Sequence, residues 1–247
     1  MAMEMDKFAA ARESVLGQAR TRQGIGEQRE KTLHAVLKHY YAPCASMHEQ
    51  KFCGYIADIH TGREIIEIQT RQLYRMRAKL SCFLEQCPVT IVHPIPHNKW
   101  LSWIDVGTGE CGKLRKSPKT GNVYQAFYEL CRIKPFLGHE NIRFIFPLVD
   151  MEEYRLLDGW SRDKKRGSNR YDRIPLAISD EVRIDYREDY LQFIPYGLAE
   201  PFGSKDLAKL VKISQRDATC ALYVLHHLEI VKRVERKRDG YRYVVNT

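Results

Sequence analysis

The sequence predicts an α/β protein with a helix-and-hairpin domain at its C-terminal end. Residues Lys51 to Arg71, KFCGYIADIHTGREIIEIQTR, read as two β-branched apolar strands around a polar turn at His60-Thr61-Gly62-Arg63. A helical stretch from Gln72 to Gln86 and an almost wholly apolar strand from Val89 to Pro94 follow, which is the pattern of a right-handed strand–helix–strand crossover. Beyond Asp185 two capped helices precede two short strands.

Taken in order, residues 1–24 are polar and mixed, with partial helix expected. From Glu27 to Tyr41 the residues Leu33, Val36, Leu37, Tyr40 and Tyr41 recur at helical spacing, and Pro43 ends the helix. After the hairpin, Leu73, Met76, Leu80, Phe83 and Leu84 form the buried stripe of the second helix, leaving Arg71, Arg75, Arg77 and Lys79 around its remaining surface. Lys99 to Val106 is a strand carrying Trp100 and Trp103. Gly107 to Gly121 is a turn-rich basic loop with Lys113, Arg115, Lys116 and Lys119. A helix over Val123–Ile133 and a strand over Ile142–Leu148 complete an α/β core spanning about residues 25–150. Residues 151–184 have a weaker pattern, with an exposed basic loop expected at Lys164–Arg173 around Tyr171. In residues 185–247 a short helix runs from Asp189 to Tyr196. Ser204 and Ser214 are N-cap candidates for helices Lys205–Val211 and Gln215–Leu228, and Arg238-Asp239-Gly240 turns a hairpin over Ile230–Val245.

The first hairpin carries the chemistry. If its turn closes symmetrically, Asp58 lies opposite Ile65 and Ile56 opposite Glu67. Side chains alternate along a strand, so Asp58, Glu67 and Gln69 then share one face, while Ala57, Ile66 and Ile68 point into a core. Two carboxylates and an amide make a hard-oxygen site suited to Mg²⁺. The competing reading is an amphipathic edge hairpin with solvated acids. A turn one residue longer or shorter would move Asp58 to the other face.

Asp58, eight intervening residues, then Glu67-Ile68-Gln69, followed by a helix and another apolar strand, resembles the core of the PD-(D/E)XK nuclease superfamily. The resemblance implies a restriction-endonuclease-like αβββαβ core in which Asp58 and Glu67 hold Mg²⁺, with Mn²⁺ as a substitute, and Gln69 helps place the attacking water. Ala57 stands where the family has Pro, and Gln69 where Lys is usual; an amide can hydrogen-bond a water but lends it no positive charge. The family's first helix often supplies a further acid, a place that Glu30 matches. Glu30 also fits as a first-turn acid favoured by the helix dipole. His34, one turn later, reads as a core or rim histidine.

The C-terminal helix–helix–hairpin resembles winged-helix DNA-binding domains, and the whole chain resembles a bacterial family that joins such a nuclease core to a winged helix. That resemblance implies base reading by Gln215, Arg216 and Thr219 and phosphate contacts from Lys232, Arg233, Arg236, Lys237, Arg238 and Arg242 on the wing. Arg71, just past the site strand, and Lys113, Arg115 and Lys116 in the basic loop are further phosphate-contact candidates. The winged helix could instead be a protein-contact module.

Composition agrees with a polyanionic partner. The 247 residues carry a formal charge of +9, and the pI is about 9.2. No apolar run is long enough to span a bilayer, and residues 1–20 lack the continuous apolar core of a signal peptide, so no membrane association is expected. Seven Cys without CxxC spacing argue for reduced thiols in a cytoplasm. The expected function is a cytoplasmic, Mg²⁺-dependent DNA endonuclease. The alternative is a DNA-binding protein with a degenerate, non-cleaving core, and an interaction module stands further off. The oligomeric state stays open, a homodimer included.

Overall fold

The computed structural model of the chain describes residues 2–19, 31–158 and 169–246. Its helices and strands follow in the order α1 (Ala2–Ala19), α2 (Thr32–Tyr41), β1 (His48–Phe52), β2 (Tyr55–His60), β3 (Ile65–Ile68), α3 (Arg77–Phe83), β4 (Val89–Val92), β5 (Ile95–Asp105), β6 (Arg115–Lys116), α4 (Phe127–Leu130), β7 (Ile142–Leu157), β8 (Asn169–Ile184), α5 (Ser204–Val211), α6 (Gln215–His227), β9 (Val231–Lys237) and β10 (Gly240–Val245). The protein is mixed α/β. One large mixed sheet takes eight strands in the order β1-β2-β3-β4-β7-β5-β6 with β8 on β7, and β9 and β10 pair separately.

The chain forms two compact units that interleave in sequence. Met1–Gln50, Pro94–Asn122 and Pro147–Glu181 make the first; Lys51–His93, Val123–Phe146 and Val182–Thr247 make the second. The divisions expected along the chain at 25–150, 151–184 and 185–247 are linear, whereas the long strands β7 and β8 carry the chain from one unit into the other.

In the first unit, Phe8 and Ala11 of α1 pack on Val36 and Tyr40 of α2, with the Phe8 and Tyr40 rings edge to face at 5.6 Å. Lys31 offers α2 no side-chain cap. Asp172 of β8 does that work instead, accepting from the Thr32 backbone N–H at 3.3 Å and from the Thr32 hydroxyl. β5 runs parallel to the later half of β7 from Ile95↔Leu148 to Asp105↔Leu157. Arg115 and Lys116, expected in a loop, instead pair antiparallel with Leu101 and Trp100. Asn169–Arg173, expected in the basic loop, begin β8; Lys164–Ser168 lie outside the described residues.

In the second unit, β2 and β3 are antiparallel, and β3, β4 and the first half of β7 are parallel. β3 and β4 are parallel and joined through a helix, as the sequence predicts. The connection begins as a 3-10 turn over Leu73–Met76 before α3, and Leu73, Met76, Leu80, Phe83 and Leu84 are all buried. β3 and β4 are buried along their whole length, as a strand covered on both faces must be. The expected first strand from Lys51 is interrupted. Cys53 and Gly54, both at positive φ (48° and 77°), make a two-residue turn, so Lys51 and Phe52 belong to β1.

The C-terminal elements of this unit follow their sequence signals closely. α5 and α6 pack on each other, and Leu207, Ala218, Ala221, Leu222 and Leu225 are all buried. β9 and β10 turn at Arg238-Asp239 before Gly240, and Phe202 adds a bridge to Tyr243 through backbone bonds of 3.0 and 2.8 Å. Ser214 caps α6, its hydroxyl accepting from the Asp217 N–H at 3.1 Å. Ser204 is not the cap of α5: Gly203 is, and Asp206 reaches back to its N–H at 2.7 Å. An acid at the third helical position can take over when the cap residue has no side chain.

These two serines therefore respond differently. Ser214→Ala leaves a helix N–H without its partner and should cost about 1 kcal/mol of unfolding free energy. Ser204→Ala should cost less than about 0.5 kcal/mol. Urea denaturation of both variants checks the assignment; equal losses would return the cap to Ser204.

Candidate functional site

The hairpin of β2 and β3 closes on a four-residue loop, Thr61 to Glu64. Thr61 donates its N–H to the Glu64 carbonyl at 3.0 Å, its hydroxyl accepts from the Arg63 and Glu64 N–H groups, and Gly62 takes φ 87°. The register is accordingly Ile59↔Ile66 and His60↔Ile65. One step further, Asp58 faces Glu67 directly instead of Ile65. The expected register was thus two residues out. Two residues is one full pleat, so the face is unchanged and both acids lie together as expected.

At that step the strands stop pairing through backbone alone. The Asp58 N–H donates to Glu67 Oε1 at 3.2 Å, and the Ile68 N–H donates to Asp58 Oδ2 at 2.8 Å. Each carboxylate is fixed by the opposite strand. Glu67 is 4 % exposed, and burial together with the neighbouring Asp58 charge pushes its carboxyl up to about 7. Lys79 of α3 acts against that rise, its Nζ lying 2.7 Å from Glu67 Oε2.

Gln69 lies two residues along the chain from Glu67 and is half-buried. Its N–H continues the ladder to the Val92 carbonyl at 2.9 Å, and its amide Nε2 reaches the Gln72 carbonyl at 3.4 Å. Its own carbonyl is held by Nδ1 of the buried His93 at 2.6 Å. Gln72 then turns the chain out of the strand at φ 61°.

Lys79 and His93 are the residues that sequence reasoning missed. Lys79 had read as part of a solvated basic face. By helical spacing Lys79 lies three residues after Met76 and four before Phe83, at the edge of the buried stripe, and what the spacing does not give is its carboxylate partner across the fold. His93 follows an apolar strand, and nothing in its spacing marks it.

Among the described residues no third acid, histidine or cysteine joins the pair to make a metal-binding group. Glu30 lies outside the described residues. Two carboxylates with water still suit Mg²⁺, which keeps several waters and takes one or two protein acids. A carboxyl held near 7 by burial and a like charge is also one that a cation would relieve.

The other candidates are distributed. Arg71 is exposed just past β3, and Lys113, Arg115 and Lys116 are exposed in the first unit, Lys116 with its ammonium 5.6 Å from the centre of the Trp100 ring. On α6, Gln215, Arg216 and Thr219 are exposed. Arg216 lies over Tyr128 at 5.5 Å, the Thr219 hydroxyl donates back to the Gln215 carbonyl at 2.8 Å, and Gln215 reaches Ser204 at 3.4 Å. On the hairpin, Arg233 and Arg236 stack on Tyr241 at 4.1 and 5.5 Å. Lys237 pairs with Glu235 at 3.3 Å, and Arg238 is exposed. Arg242, expected to face phosphate, is instead half-buried and tied to Asp239 at 2.9 Å.

No helix among the described residues is long and apolar enough to cross a membrane. No solved structure matches the chain. An uncharacterized protein of Treponema pallidum (strain Nichols) is 29% identical over 186 residues, covering 75% of this chain and 74% of the relative. Residues 31–185, from the residue before α2 to just past β8, match a domain of unknown function, and the chain belongs to that family, DUF8091.

Proposed function

We propose that the protein is a Mg²⁺-dependent DNA endonuclease of the PD-(D/E)XK type, with its DNA also held by a C-terminal winged helix. The observation that carries the reading is the buried Glu67, raised to about 7 beside Asp58 and met by Lys79. The order α2-β1-β2-β3-α3-β4 supports an αβββαβ core, with β3 and β4 parallel. The α5–α6 pair followed by the β9–β10 hairpin, with Phe202 bridged to Tyr243, supports the winged helix.

On this reading Asp58 and Glu67 hold the cation, which supplies positive charge to a scissile phosphate and acidifies a nearby water. Gln69, its peptide fixed by His93, orients that water through its amide. Lys79, whose ammonium lies 2.7 Å from Glu67 Oε2, would supply the positive charge that an amide cannot. Arg236 and Arg238 track the backbone, while Gln215, Arg216 and Thr219 meet base edges. The seven free thiols support a reducing, cytoplasmic setting.

A non-cleaving DNA-binding protein is the second reading, and one observation favours it: Lys79 already compensates Glu67. The deciding experiment incubates supercoiled DNA with the protein and Mg²⁺ or Mn²⁺, with EDTA controls. Nicking that EDTA stops and Glu67→Gln abolishes is expected, and Lys79→Met should slow it by about a hundredfold or more. DNA binding without any nicking would move the assignment to the second reading.

The acid pair also sets a pH dependence. Glu67 has a folded-state value near 7 against an ordinary 4.5. Its stabilising contribution is therefore complete below about 4.5 and lost as pH rises through about 7. A cation replaces the lost proton, so the Mg²⁺-induced rise in melting temperature should grow with pH through 7 and vanish in Glu67→Gln. A rise that is independent of pH, or that survives Glu67→Gln, would place the cation elsewhere.

Each phosphate contact on duplex DNA contributes about 0.9 to the slope of log affinity against log salt. Neutralising Arg236 and Arg238 together should flatten that slope by about two and leave the Mg²⁺ melting shift intact. An unchanged slope would remove the hairpin from the interface.

A further inference from the structure

Glu153 on β7 is fully buried, and four cations surround it within the first unit. Arg155, two residues along the same strand, donates its Nε to Glu153 Oε1 at 2.9 Å, and its Nη2 at 2.5 Å. Arg173 of β8 donates Nε to the other oxygen at 3.0 Å, and Arg170 pairs with that oxygen at 3.3 Å. Lys99 of β5 is the fourth, half-buried beside them. Burial alone would raise the Glu153 carboxyl, but the guanidinium groups outweigh it and hold it down at about 2. Lys99 also shifts downward, which for an ammonium favours the neutral form. Burial depresses its ammonium, and repulsion from Arg173, Arg155 and Arg170 opposes the help it gets from Glu153.

Arg155 serves one oxygen of the buried carboxylate with two N–H groups, and Arg173 serves the other. The three arginines also repel the Lys99 ammonium, a cost that a further anion beside it would relieve. Their side chains are also not sealed away: Arg170 is 33% exposed and Arg155 23%. Cations held apart in fixed positions by a central carboxylate are preorganised to meet phosphate, because the ordering is done before binding. The surroundings extend the same chemistry. Leu101 lies opposite Glu153 in β5, and Arg115 of β6 lies opposite Leu101. Trp103 is in register with Arg155, and the exposed Tyr171 lies two residues before Arg173. Aromatic rings among cations on a strand surface suit bases as well as phosphates.

We infer that the surface of the first unit around Glu153 docks a nucleic acid, with Lys99, Arg155, Arg170 and Arg173 as phosphate contacts and Glu153 as the positioning residue that spaces them. The inference rests on the chain being a nucleic-acid-binding protein, but not on its cleaving one.

The test uses the full chain in EDTA and a labelled oligonucleotide, single- and double-stranded, with anisotropy read across a salt series. Lys99→Gln combined with Arg170→Gln should weaken binding at least fivefold and flatten the salt slope by up to about two on duplex. The melting temperature and the Mg²⁺ shift at Glu67 should hold. Arg170→Gln alone, at the most exposed of the three arginines, covers the case in which the double variant does not fold, and should still flatten the slope by about one. If the parent binds DNA and a folded variant matches it in affinity and slope, this surface is excluded while the nuclease reading stands. If the variants lose binding but the parent never nicks DNA, the docking surface stands and the nuclease reading falls. If the parent binds no nucleic acid, or binds only phosphatidylserine vesicles, the inference is overturned.

Discussion

Taking a carboxylate out of water is costly unless something replaces its hydration. Much of the site depends on how that is done for Glu67. It sits in a strand buried from end to end, so protein groups take over most of its hydration. The Asp58 N–H and the Lys79 ammonium serve it instead, while the Ile68 N–H serves Asp58 in return. These contacts fix three things together: where β2 and β3 stop pairing through backbone, how far apart the two acids stay, and where the first turns of the following helix lie. A packing fault in α3 would therefore reach the acid pair through Lys79, and a register slip in the hairpin would reach α3.

How much of this was legible follows from which signals are periodic. The apolar stripe of the crossover, the buried strand at Val89 and the α6 core positions all repeat at fixed spacing, and all are buried where expected. The face shared by Asp58 and Glu67 was also legible, because alternation depends on parity and a two-residue register error leaves parity intact. The register itself was not. It depends on the Thr61 hydroxyl and on the left-handed Gly62, which place the four-residue loop one residue further along the chain. Lys79 was illegible as a partner of Glu67 because that contact is tertiary, between residues of a helix and a strand, and His93 because an isolated residue has no period. Of the two sixteen-residue strands, β7 was cut short at Leu148 in the reading and β8 was not read as a strand, for a different reason. The later half of β7 carries Glu153 and Arg155 and the start of β8 carries Arg170 and Arg173, and charges of this density look like a loop until their mutual compensation is seen.

The extent of the family match bears on how the parts divide. It runs over residues 31–185 and so takes in the acid pair, Lys79, His93 and the whole Glu153 cluster. The α5–α6 pair and the β9–β10 hairpin lie beyond it. If chemistry resides in the shared domain, then a phosphate-binding surface within that domain gives it a means of holding substrate that does not require the C-terminal elements. The C-terminal elements would then add selectivity, in the helix positions at Gln215, Arg216 and Thr219, more than basic affinity.

The two buried glutamates make the same point from opposite directions. Both leave water, and in both cases burial pushes the carboxyl upward. Glu67 has another acid beside it and a single lysine, and ends near 7. Glu153 has three arginines and a lysine, and ends near 2. The first site is short of positive charge and the second has it in excess. A cation added to the first and an anion added to the second both lower the electrostatic energy. On the proposed reading, a metal ion and a phosphodiester would be the ligands that meet these two demands. The two glutamates lie on different strands of the same family domain. Their opposite imbalances in one family domain are what a purely structural role for each leaves without a common reason.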